Sequence, residues 1–124
     1  MIKRIETGDS NTLGWSFEGK ISEAEYEPVI DALKKKIQTS GHVNIYMEVP
    51  ETPGLSGETV WESLKFGFTH VKDFLKSVDK VAVVTDKDWL KTYTALESQV
   101  LPGVKERGFS LEDAEKAKQW LKEA

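Results

Sequence analysis

The chain has 124 residues, with 17 Lys and Arg against 21 Asp and Glu, a net charge of −4 and no cysteine. That length fits one domain over residues 1–124 that folds without disulfides, and the missing thiols exclude a Cys nucleophile and Cys-ligated zinc or iron–sulfur sites. The acidic balance argues against a nucleic-acid partner, whose footprint is a dense basic patch. With no secretory pattern and no long apolar run, a cytoplasmic protein is expected.

Residues 1–6 and 12–18 read as strands joined by the turn signal Gly8-Asp9-Ser10-Asn11, and Leu13, Trp15 and Phe17 alternate onto one face. Ser22 with Glu25 forms a capping box for a helix reaching about Thr39, with the stripe Tyr26, Val29/Ile30, Leu33 and Ile37. Pro28 is awkward for that start, since it removes a hydrogen bond to Ala24; the first turn is bent, or the regular helix begins nearer Glu25. Lys34, Lys35 and Lys36 suit the negative end of the helix dipole, and Gly41 stops the helix. Residues 43–49 form a strand whose Val43, Ile45, Met47 and Val49 make one apolar face.

A Pro/Gly loop over 50–57 leads to a second helix predicted over 58–78, with the stripe Trp61, Leu64, Phe68, Val71, Leu75 and Val78. Phe66 falls roughly opposite that stripe, where an aromatic asks for a partner surface, a lipid or a ligand. Residues 80–85 are apolar on both faces, as a central parallel strand should be. Thr85 or Asp86 caps a third helix carrying Trp89, Leu90, Tyr93, Leu96 and Val100, stopped by Pro102-Gly103. Residues 104–109 make a short edge strand, and Ser110 with Asp113 opens a last helix bearing Leu111, Ala114, Ala117, Trp120 and Leu121. The order β-β-α-β-α-β-α-β-α predicts an α/β fold with parallel neighbours, a mixed sheet of about five strands and four main helices.

Little in the residues proposes catalysis, so the chain reads as non-enzymatic. His42 is expected in a turn and His70 on a polar helix face; neither has a partner at i+4, so no metal or cofactor is expected. Gly54-Leu55-Ser56-Gly57-Glu58-Thr59 matches a phosphate loop only loosely, lacking its lysine, and Asp86 with Asp88 is explained by capping. Six lysines between Ser63 and Ala95 face four aspartates; solvated helix faces explain this, with attraction to anionic headgroups as the alternative. Ser56 and Thr52 serve as turn and cap residues, or as phosphoacceptors at a helix N-terminus.

The element order, the block from Glu58 to Phe68, the run from Lys80 to Leu90 and the closing Ala114 to Leu121 segment together resemble the bacterial SpoIIAA-like family, related to STAS and CRAL-TRIO domains. The resemblance covers nearly the whole chain. It implies a β/α superhelix with a mixed sheet, whose second and third helices can part to expose a nonpolar cleft near a membrane. The anti-sigma-factor antagonists of that fold carry Asp-Ser-Ser-Gly where this chain has Pro53-Gly54-Leu55-Ser56-Gly57, so Ser56 is only a positional analogue.

Two functions follow as expectations. The first is a carrier or sensor of a nonpolar, lipid-like ligand held between Trp61, Leu64, Phe68, Trp89, Tyr93 and Leu96, peripheral at a membrane. The second is a regulatory protein-interaction module with Ser56 and Phe66 at its partner surface, in which a second copy of the chain is an equally open partner.

Overall fold

The computed structural model describes residues 1–19, 21–50, 54, 56, 59, 76–90 and 104–123. Five strands form one sheet in chain order: β1 (Ile2–Ile5), β2 (Thr12–Phe17), β3 (Val43–Val49), β4 (Val78–Thr85) and β5 (Lys105–Ser110). β1 runs antiparallel to β2 through the turn at Gly8, while β2, β3, β4 and β5 are mutually parallel neighbours. The mixed α/β architecture is therefore as expected, and β5 lies at the sheet edge predicted for it.

The first face of the sheet is apolar. Leu13, Trp15 and Phe17 of β2, Val43, Ile45, Met47 and Val49 of β3, and Val81 and Val83 of β4 share one buried cluster. Helix α1 (Glu27–Ser40) adds Val29 and Leu33 to this face, with Ile30 and Ile37 at its margin. Parallel pairing of β2 with β3 requires a crossover, and α1 supplies it. Before α1, residues Glu23–Tyr26 form a 3₁₀ turn, where the Glu25 carboxylate accepts the Ser22 N–H at 2.7 Å and the Ser22 hydroxyl at 3.0 Å. This resolves the position of Pro28: it lies in the first turn of α1, where its missing N–H has no intrahelical partner to lose. Gly41 ends α1 at φ +81°, a left-handed conformation that favours glycine, and its N–H reaches the Ile37 carbonyl.

The second face is covered by the C-terminal helix α2 (Ala114–Lys122), entered through a 3₁₀ turn at Leu111–Asp113. Here Tyr46, Ala82, Val84 and Phe109 meet Ala117 and Leu121. Gly14 pairs with Tyr46, and a Cβ there would come within 3.0 Å of the Ile5 carbonyl and 3.4 Å of the Tyr46 ring, so its hydrogen leaves room for both. β4 lies between β3 and β5 with both faces buried, as its apolar run predicts.

Three expectations are corrected. Val78 is not the last residue of a helical stripe: it opens β4, pairs with Val43 and is buried, so that strand starts two residues earlier than predicted. Leu111 is exposed and not part of the buried face of the last helix, because it sits in the 3₁₀ turn before α2. Lys34, Lys35 and Lys36 precede the last turn of α1, which carries no basic residue, so they do not complement its dipole. Of the two middle helices, helical geometry is seen at Thr59 and over 87–90; the rest of their predicted spans, apart from the strand residues at 78 and the turn at 76–77, lies outside the described residues.

Candidate functional site

The two described residues among the predicted site positions leave the same edge of the sheet. Val49 of β3 pairs with Thr85 of β4, and the segment containing Ser56 follows the first strand while 87–90 follows the second. In sheets of parallel strands this carboxyl edge is where ligands and partners are commonly received. Ser56 is exposed; its Oγ accepts the Thr59 N–H at 3.1 Å and donates to Thr59 Oγ1 at 2.8 Å, the bond pattern of a helix N-cap. Trp89 is buried within the first-face cluster, with Leu90 partly buried against it. Trp61, Leu64, Phe66, Phe68, Tyr93 and Leu96, together with Thr52 and His70, lie outside the described residues.

Thr85 does not cap the helix that follows it. Its hydroxyl donates to the Val49 carbonyl at 2.6 Å, tying the ends of β3 and β4, and Asp86 takes the cap position, its carbonyl accepting the Leu90 N–H at 2.8 Å. His42 stands in the turn before β3, exposed, with Nδ1 2.8 Å from the Asp79 carboxylate and 3.1 Å from the Asn11 amide. Among the described residues no three His, Cys, Asp or Glu side chains come together as a metal cluster.

A second polar group is internal. Lys80 is buried rather than solvated, and its Nζ donates to the Trp120 carbonyl at 2.9 Å and the Glu123 carbonyl at 2.6 Å while lying 5.0 Å from the Trp120 ring centroid. Asn44 Nδ2 donates to the Leu121 carbonyl at 2.8 Å. The Leu121 and Glu123 carbonyls at the C-terminal end of α2 thus find donors on β3 and β4, the Trp120 carbonyl gains a second donor beside the Glu123 N–H, and the ammonium sits where the helix dipole favours a cation. A β-bulge makes this possible: Val43 pairs with Val78 but Ile45 with Val81, so β4 carries one extra residue and turns Val78 and Lys80 to opposite faces.

The same face holds a cost. Among the described residues, Tyr46 Oη and Asn44 Oδ1 are buried with no partner in close hydrogen-bond geometry. Burial raises the Tyr46 phenol above its ordinary range, and the Glu48 and Glu115 carboxylates add to this by repelling the phenolate. The Glu48 carboxylate also favours the protonated phenol by accepting from it.

One surface was not foreseen. Arg4 on β1 and Lys35 and Lys36 on α1 border an open groove, although the sequence places them thirty residues apart. The only signals for it were the Lys34–Lys36 run and a basic residue on the first predicted strand.

The SpoIIAA-like family model matches residues 12–122, and the chain belongs to that family. No curated protein and no solved structure matches it.

Proposed function

We propose that this SpoIIAA-like domain is a non-enzymatic, regulatory protein-interaction module that receives its partner at the carboxyl edge of the sheet, under the control of Ser56. The supporting observation is the exposure of Ser56, with cap-type bonds to Thr59, in the segment that follows β3 in a chain belonging to this family. A phosphate on Ser56 would place about two negative charges at the positive end of a helix and replace a neutral cap with an anionic one, which suits a switch read by a partner.

The test compares Ser56→Ala with Ser56→Asp in partner pull-downs followed by quantitative mass spectrometry. The module reading expects partners that follow the charge at position 56; equal recovery from both variants removes the switch.

The carrier reading is the second proposal, and Trp89 is the only member of its proposed wall among the described residues. It packs into the first-face core beside Val83 and Val81 in one cluster. Native mass spectrometry of the purified chain separates the two readings. Retained lipid mass that survives gentle desolvation would favour the carrier, and a clean apo mass, with tryptophan fluorescence unmoved by added fatty acid, would remove it.

A further inference from the structure

A groove of about 290 Å³ opens between β1 and α1, lined by Arg4, Leu13, Ala32, Lys35, Lys36 and Thr39. Its floor is the apolar Leu13 and Ala32, and its rim carries three cations. That volume is at the lower end of small-molecule sites, roughly 300–1,000 Å³, and has room for a few side chains rather than a folded domain. Arg4 lies 5.3 Å from the Trp15 ring centroid, which holds the guanidinium over the sheet's first face. Among the described residues, none of the three cations has a carboxylate within ion-pair distance, and Asp31, one turn before Lys35, does not reach it. In a chain of net charge −4, this is a place where positive charge gathers with no carboxylate among the described residues to offset it.

Among the described residues, the groove adjoins a sheet edge that no further strand covers. β1 pairs only with β2 among the described residues. Met1 and Glu18 exchange both backbone bonds, at 2.6 and 2.8 Å, which fixes the alternation along β1. Lys3 and Ile5 therefore direct their backbone groups to β2, and Ile2 and Arg4 direct theirs outward. Two residues' worth of N–H and C=O groups thus face away from the sheet, beside three cations that meet no carboxylate among the described residues. Pairing with β1 of a second copy would bring Lys3 and Arg4 against their own counterparts, a like-charge match that disfavours self-association. A strand of opposite charge meets no such penalty.

We propose that the β1 edge and its groove take an extended acidic segment of a protein partner. The segment adds as a further strand along Ile2–Ile5 and sends alternate Asp or Glu side chains to Arg4, Lys35 and Lys36. Main-chain hydrogen bonds hold the strand, and the carboxylates select it. This surface is built from elements other than the Ser56 edge, so it stands whether or not Ser56 is a switch.

The probe is a fluorescein-labelled peptide alternating Glu and Thr, titrated into the full chain by fluorescence anisotropy and followed by amide chemical shifts. Binding should shift the amides of Ile2, Arg4, Lys35 and Lys36. It should weaken about tenfold in a Lys35→Glu/Lys36→Glu double variant, whose fold is checked by circular dichroism. Lys116→Glu, on α2, should leave binding unchanged. A peptide with alternate amides N-methylated should bind at least about tenfold more weakly, since it cannot pair with the edge. Absent binding, equal affinity for the charge-reversed double variant, or undiminished affinity of the methylated peptide would each overturn the proposal. So would recovery of the chain on phosphatidylserine-containing but not phosphatidylcholine vesicles, lost in the same double variant, without peptide binding; that outcome would assign the cations to a membrane.

Discussion

The two faces of the sheet put their positive charges to opposite uses. Under α2, Lys80 is consumed internally by two helix carbonyls and an aromatic ring, and the Lys118 ammonium lies 5.4 Å from the Tyr46 ring centroid. Beside α1, Arg4, Lys35 and Lys36 border a groove and meet no carboxylate among the described residues. The α1 face needs no polar help, because Leu33, Val43, Ile45, Met47 and Val49 bury an unbroken apolar surface, each such side chain contributing roughly 1.5–3 kcal/mol. The α2 face has less of that surface and adds side-chain capping to hold its helix. Cations built into packing are structural; cations left at a rim are available to a partner.

The largest effect should come from the apolar face. Leu33 is 2% exposed, so Leu33→Ala should cost about 2–5 kcal/mol in urea unfolding, through lost burial and the cavity left behind. A cost below about 1 kcal/mol would mean that α1 is held by something other than its apolar stripe.

Next in size is the cap on α2. Lys80→Met keeps the stem but removes the ammonium, taking the side-chain donor from the Glu123 carbonyl and leaving the Trp120 carbonyl only the Glu123 N–H, for an expected loss of about 1–3 kcal/mol. Hydrogen exchange should quicken in the last turn of α2 and stay unchanged in α1. Equal acceleration in both helices would show that the two faces do not act separately.

The smallest change carries an opposite sign. Tyr46→Phe removes a buried hydroxyl that meets no partner in close hydrogen-bond geometry among the described residues, so stability at neutral pH should hold or rise by up to about 1 kcal/mol. The phenol's pKa is raised on folding, so the folded state favours the protonated form. Its contribution is fully present below the unfolded tyrosine pKa of about 10 and is lost as pH rises above that value. Wild type should therefore lose stability between about pH 9 and 11 more steeply than Tyr46→Phe. Identical slopes would mean that folding does not raise the phenol's pKa and that the hydroxyl reaches solvent.

The strands and the first helix were legible because each obeys a local rule. Alternation marked β2 and β3, the two-sided apolar run marked β4, and Ser22 with Glu25 marked the approach to α1. What escaped depends on pairing. The true start of β4 is set by the bulge opposite Asn44, which no pattern within residues 76–85 reveals. Lys80 reads as one more surface lysine until the bulge turns it toward the end of α2. Tyr46 alternates with Asn44 and Glu48 as a polar face would, and only the docking of α2 buries it. Of the candidate site, Ser56 and Trp89 have a described setting, one a cap and the other core. The groove joins β1 to α1 across about thirty residues of sequence, a juxtaposition made by the sheet and not by any motif.

The separation of structural from available cations is tested most directly by neutralising one of each and measuring urea unfolding side by side. Lys80→Met should lower stability by about 1–3 kcal/mol, whereas Lys36→Met, which removes a groove-rim charge that meets no carboxylate among the described residues, should stay within about 0.5 kcal/mol of wild type. Equal losses from the two substitutions would contradict the account, because the rim lysine would then be part of the packing and not free for a partner.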